Sequence, residues 1–262
     1  MVRYLRLYGY FLRFSFSKAM AFRLDFFFRI FMDVFYYAIN IAFYAVIFHH
    51  TALLGGWDMD QMLVFVSGFL LIDAISMTVF ANNLWFLPDA INTGNLDFYL
   101  IRPVSSLFML SVRDFAADSF VNLVMAVVFM IWALGRSRPA FALSSILLFV
   151  VLILLGALLR YLLRMVFIIP TFWLHSGKGF DMVFFNLNRF IERPDRIFTG
   201  PMRVLLTTLL PFGVMASFPA RILLDGFSWG VVLHMTVVTA AFAALVLLLW
   251  RRGLAAYSSA SS

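Results

Sequence analysis

Long apolar runs alternate with short polar breaks along the whole chain. The first run covers 26–48, "FFFRIFMDVFYYAINIAFYAVIF", and the second covers about 62–82. A third lies near 115–134. The fourth, 141–174, is too long for one simple crossing. A short fifth run fits 180–192, or starts near 165, and the last covers 228–250. An apolar stretch of about 20 residues spans the hydrocarbon of a bilayer as a helix. A membrane barrel shows short alternating segments instead, and none is visible here. The pattern predicts an all-α polytopic membrane protein with six transmembrane helices, folded as one domain over 1–262.

The breaks have characters of their own. Residues 1–22, "MVRYLRLYGYFLRFSFSKAMAF", mix basic and aromatic residues, with Arg6 and Arg13 on one helical face. No clean apolar core precedes a small-residue cleavage site, so a secretory signal does not fit. A basic amphipathic helix lying in the interface does. Residues 51–61, "TALLGGWDMDQ", read as a short outer loop. Between runs two and three, Pro88, Gly94 and Pro103 punctuate a polar segment, "GNLDFYLIRPVS" at its centre. Pro88 and Asp89 suit the start of a short helix there, and Gly94 its end. Residues 192–226 are half apolar but are cut by Pro194, Pro201, Pro211 and Pro219. Broken helices at membrane depth are tolerated where protein buries them or a cavity borders them. Two short re-entrant or interfacial helices on the outer side are expected.

Composition agrees with the pattern. The chain is 64% hydrophobic and 13% charged, against roughly 25% charged in a soluble domain. Its net charge of +7 points to lipid contact and topology, not to nucleic acid. There are no cysteines, which excludes thiolate metal sites and cysteine nucleophiles. The abundant phenylalanine suits lipid-facing and inter-helix packing better than a ligand cage.

Charge bias orients the chain. With both termini inside, the inner segments hold Arg3, Arg6, Arg13, Lys18, Arg23, Arg102, Arg113, Arg160, Arg164, Lys178, Arg251 and Arg252. The outer segments hold Arg136, Arg138, Arg189, Arg193, Arg196, Arg203 and Arg221. Twelve against seven is the direction that the positive-inside rule asks for. Arg160 falls about 27 Å below the start of its run at 1.5 Å per residue, where an arginine can snorkel to lipid phosphate.

A few polar residues lie within the runs. Arg29 and Asp33 are four apart and can neutralise each other on one helix face. Asp73 stands alone in the second run. An intramembrane carboxylate is a functional candidate, with a hydrogen bond to a neighbouring helix as the plainer reading. His49 and His50 are adjacent and have no supporting carboxylate, so no metal site is expected. No zinc-protease, nucleophile-elbow or phosphate-loop motif occurs, and "HSGKGFD" (175–181) lacks the spacing of the last. No catalytic residue is assigned.

Taken together, the leading amphipathic helix, the six runs, the inner break and the proline-cut outer segment resemble the ABC-2 type exporter permease. "GNLDFYLIRPVSSLF" (94–108), "ERPDRIFTGPMRVLLTTLLPFGVMASFPARILLDG" (192–226) and "AYSSASS" (256–262) are similar to the bacterial subfamily with a G-x-L-D…L-x-R-P-V motif. The similarity covers essentially the whole chain.

The resemblance implies a permease without a nucleotide site of its own, in a bacterial cytoplasmic membrane. Its partners would be two ABC ATPase subunits, which carry ATP and Mg, and a second permease, identical or paralogous. Region 83–105 would form a coupling helix seated in an ATPase cleft, using Pro88, Asp89, Gly94, Leu96, Asp97, Arg102 and Pro103. Leu96, Phe98 and Tyr99 suit packing on that partner. Arg203, Pro211, Pro219 and Arg221 would belong to the outer gate, where the arginines suit an anionic substrate or a lipid headgroup. Two competing readings are a membrane-embedded lipid or prenyl transferase and a gradient-driven carrier. The first predicts clustered acidic or histidine residues at one membrane face, which are missing. The second favours inverted repeats, whereas the broken helices here lie in one half only.

Overall fold

The structure, a computed structural model, describes residues 2–19, 23–137, 141–174 and 178–258. In chain order the helices are α1 (Val2–Ala19), α2 (Arg23–His50), α3 (Met59–Ser76), α4 (Asn82–Asn92), α5 (Asp97–Leu100), α6 (Ser106–Val112), α7 (Phe120–Arg136), α8 (Leu143–Ile168), α9 (Thr171–Leu174), α10 (Lys178–Asn188), α11 (Gly200–Val204), α12 (Val214–Leu224) and α13 (Trp229–Ala256). Among the described residues the only strand-like feature is one bridge, Leu54 to Trp57, in the loop after α2. The protein is an all-α polytopic membrane protein. Four stretches are long and apolar enough to cross a bilayer: Ile30–His50, Met59–Asn92, Leu143–Leu174 and Trp229–Ala256. The bent pair Gly200–Leu209 and Pro211–Leu224 makes a fifth if it is counted as one.

Side-chain contacts sort the chain into two ends. At one end Phe115 N–H donates to Ser15 of α1, and Leu84, Leu96, Phe172 and Trp250 share one apolar cluster. At the other, Trp57 bonds Asp225, Arg136 pairs with Asp60, and Tyr44 donates to the Glu192 carbonyl. These are called the inner and outer ends below. A second and larger apolar cluster fills the outer half, built from α3, α7, α8, α12 and α13. Gly156 lets α8 and α12 approach closely, since a Cβ there would lie 2.6 Å from the Met215 carbonyl oxygen. By contrast α2 is hardly covered, with 11% of its span buried.

Several boundaries differ from those expected. The second helix does not stop at 82 but continues to Asn92 through a π-helical turn at Met77–Ala81. Its start is fixed by a capping box between Asp58 and Gln61. Pro88 therefore lies inside a helix and does not begin one. The third run enters through a 3-10 turn at Ala117–Ser119 and is α-helical only from Phe120, the Ala116 N–H before it being committed to the Thr78 carbonyl at 2.9 Å.

The long fourth run is one helix to Ile168, broken just before Pro170. Residues 165–168 belong to its last turn, so no new span starts there. The expected fifth span is α10, with 11 residues, about 16 Å of helix, followed by a 3-10 turn at Arg189–Glu192. It returns antiparallel along α8, with Asp181 beside Arg164 and Asn188 beside Arg160. Trp250 of α13 is buried against Phe172. The turns at 138–140 and 175–177 lie outside the described residues.

Candidate functional site

The inner segment begins where α4 ends. Thr93 N–H and its hydroxyl both donate to the Asp89 carbonyl, at 2.9 and 2.8 Å. Gly94 then adopts φ 80°, a left-handed conformation that costs other residues about 1–2 kcal/mol. The reversal brings Leu96 N–H to the Ala90 carbonyl at 3.0 Å and launches the single turn α5. In that turn the side chains divide. Leu96 is 0% exposed and Tyr99 is buried, both within the inner cluster. Arg113 lies over the Tyr99 and Phe86 rings and bonds the Tyr99 hydroxyl. Phe98 and Ile101 point away, 63% and 81% exposed. Arg102 and Pro103 are exposed as well, and Arg102 Nε donates to the Phe98 carbonyl at 3.2 Å.

Three of the expected partner contacts thus divide differently. Leu96 and Tyr99 pack on their own bundle, because the turn after Gly94 rolls them toward α4 and α6, and Phe98 alone faces out. Asp89 is exposed and Asp97 half-buried. Asp97 lies beside Tyr257, whose hydroxyl is held above its usual pKa by burial first and by the Asp97 charge second. The Tyr257 ring packs on Phe172 with centroids 6.0 Å apart. The inner segment, α9 and the end of α13 therefore form one unit.

The outer segment closes on itself. Asp195 is 1% exposed and receives Arg203 Nη2 at 3.0 Å and Arg221 Nη1 at 3.4 Å on the same oxygen. Its N–H donates to Ser217 Oγ at 3.0 Å. Arg203 is in α11 and Arg221 in α12, so both limbs return to one carboxylate. The two limbs meet at a bend of 78° and together make the outer hairpin. Pro211 opens the 3-10 turn at the bend, and Pro219 lies within α12. His234 of α13 contacts the Thr207 carbonyl at 2.8 Å and ties the hairpin to the bundle. Nearby, Arg196 pairs with Asp225 and lies over Trp57, and Arg193 covers Phe43. Burial raises the Glu192 carboxyl pKa, and the Arg193 charge opposes that shift. Arg203 and Arg221 were expected to await an anionic substrate or headgroup. Each already has a carboxylate, supplied by the same chain.

Inside the bundle Asp73 is not alone. Its Oδ1 lies 2.6 Å from Arg160 Nη2, and Arg160 Nε donates to Asn188 Oδ1 at 3.1 Å. Arg164 pairs with Asp181 at 2.7 Å. Arg160 is therefore a buried partner of Asp73 and not a lone arginine at a helix end. Asp33 is half-buried in α2, while the side chain of Arg29 lies outside the described residues. Sequence reasoning missed Asp181, Asn188 and Asp195 as partners. A buried cation in a membrane demands a neutralising group, and that demand was the one available signal.

The profile of the ABC-2 family transporter protein matches residues 34–261. The chain belongs to the ABC-2 transporter family. It is a transmembrane transport subunit of that family, an ABC-2 permease. The match takes in the inner segment, the outer hairpin and the buried ion pairs of this permease, and begins just after Asp33. No curated protein matches the permease, and no solved structure does.

Proposed function

We propose that this permease forms half of the translocation pathway of an ATP-driven ABC exporter in a bacterial cytoplasmic membrane. It would work with a second permease, identical or paralogous, and with two ABC ATPase subunits that hold ATP and Mg. The permease itself binds neither and carries no catalytic residue. Both termini are cytoplasmic, and the chain makes six crossings, with α7 and α10 as its shorter ones. The alternation of element ends between the inner and outer clusters supports that count.

One observation carries the reading: an exposed apolar tip, Phe98 and Ile101, stands on a buried base, Leu96 and Tyr99. An ATPase cleft needs an apolar contact to grip and a rigid base to push. Gly94, Asp97, Arg102 and Pro103 shape the segment, and Pro88 and Asp89 belong to the helix that feeds it. A push on the tip reaches the α3–α4 helix through Leu96 and α13 through Tyr257 and Trp250. ATP binding would favour one arrangement of two paired bundles only through contacts that differ between the two states. The re-entrant hairpin would close the outer mouth, with Asp195 holding Arg203 and Arg221 across its base. The uncovered face of α2 suits the second permease or lipid.

The test is reconstitution with an ABC ATPase that co-purifies with the wild-type chain. Ile101→Asp should leave the permease folded and abolish its stimulation of ATP hydrolysis. Full transport by the chain without any ATPase would sink the reading.

A further inference from the structure

A cleft opens between the α3–α4 helix, α8 and α10. It is lined by Trp85, Arg160, Arg164 and Phe185 and by the π-helical turn at Met77–Ala81. Turns of this kind appear frequently at functional sites. Arg160 and Arg164 are each more than nine-tenths buried. Among the described residues, Nη1 of each finds no hydrogen-bond acceptor. Arg164 Nη2 touches Asp181 at 2.7 Å but without hydrogen-bond geometry. Buried polar groups are as a rule hydrogen-bonded, and a guanidinium gains most from a charged oxygen that two of its N–H groups can share. Unsatisfied donors on two buried cations that line one cleft point to an anionic oxygen ligand.

The walls specify the rest of the molecule. Trp85 and Phe185 are half-exposed at the mouth, and Arg164 lies 4.7 Å over the Phe185 ring. The room inside is about 50 Å³. One water needs roughly 10–15 Å³ by that measure, so a group of a few heavy atoms fits and an acyl chain does not. Trp is at home where hydrocarbon meets a polar layer, and here it would lie against the chain left outside. We propose that the cleft binds the phosphate group of an anionic lipid, with its oxygens on Arg160 and Arg164 and its chains over Trp85 and Phe185. Asp181 is the internal competitor. It is a third exposed, poorly aligned, and free to yield Arg164 to a better acceptor. Asp73 stays with Arg160 Nη2 and leaves Nη1 for the ligand. The site stands whether or not an ATPase drives the chain.

The experiment uses the full chain in an uncharged detergent, with dioctanoyl phosphatidic acid titrated and bound lipid counted by native mass spectrometry. One saturable site per chain is expected. Arg164→Gln should weaken it at least tenfold, and Asp181→Asn should tighten it several-fold. Ala81→Leu narrows the cleft without touching a charge and should also weaken binding. It keeps the idea falsifiable if Arg164→Gln does not fold. Three results overturn the proposal: unchanged binding in both Arg164→Gln and Ala81→Leu, equal binding of dioctanoylglycerol, which lacks the phosphate, or full displacement by equimolar inorganic phosphate.

Discussion

Asp195 and Asp97 are both carboxylates in proline-rich breaks between apolar runs. Asp195 is buried under two arginines of its own chain. Asp97 sits half-open beside Tyr257, next to a tip whose side chains, Phe98 and Ile101, are mostly uncovered by the chain. The outer break thus pairs Asp195, Arg203 and Arg221 with one another and puts its apolar residues into the core, Phe212, Val214 and Met215 among them. The inner break buries only its base and leaves Phe98 and Ile101 in the open. The difference follows from length. Some 35 residues at 192–226 can form two limbs that face each other, whereas the dozen at 94–105 can form only a turn. A self-closed segment suits a gate or lid, and a half-closed one suits a contact made by another chain.

The largest break of this contrast is Asp195→Ala. It strips the partner from Arg203 and Arg221 together. Removing one member of a buried ion pair costs about 3–5 kcal/mol. The lower end is expected, because Arg203 is already 44% exposed and can turn to solvent. Thermal unfolding in micelles should show the loss, and cysteine labelling engineered into α11 should show the limb opening. If the variant melts like wild type, the hairpin is held by apolar packing alone, and the two breaks differ less than their ion pairs suggest.

Leu96→Ala tests whether the base of the inner segment is as fixed as the outer hairpin. A buried Leu→Ala change costs about 2–5 kcal/mol, and here it should also loosen α5 against α6. Amide exchange at Tyr99 and Leu100 reads the local effect. Gly94→Ala comes next. A Cβ at φ 80° costs about 1–2 kcal/mol, and the reversal that aims Leu96 inward should shift. A smaller cost would mean that the turn has another accessible shape.

Part of this contrast was legible in the sequence. Gly94 was identified as a helix end because few other residues tolerate that backbone conformation. The bend of the outer segment was legible from Pro211, whereas Pro219, expected to cut the segment as well, lies inside α12. The pairings were not. Asp73 and Arg160 are far apart in sequence, and so are Asp195 and Arg221, and no local rule joins them. Depth along its helix placed Arg160 at an interface and named no protein partner for it. The packing of α3 and α10 against α8 supplies two, Asp73 and Asn188. The run of apolar residues in "LDFYLI" also hid which ones face in, since a one-turn helix has no periodicity long enough to read. Pro88 misled for the same reason: it resembles a start signal, and the helix around it is held by neighbours on both sides.

The smallest expected effect falls two residues from one of the largest. Phe98→Ala removes a large aromatic, yet its side chain is mostly in the open, and substitutions at such positions usually stay within about 0.5 kcal/mol. Its melting temperature should match wild type while Leu96→Ala falls well below. In the assembled complex the order should invert for association, because an apolar residue that is free in one chain becomes an anchor when another covers it. A Phe98→Ala chain that is as stable as wild type and pulls down less ATPase would separate the tip from its base. If Phe98→Ala instead destabilises the isolated chain as much as Leu96→Ala does, the whole turn belongs to the core, and the inner break is as self-contained as the outer one.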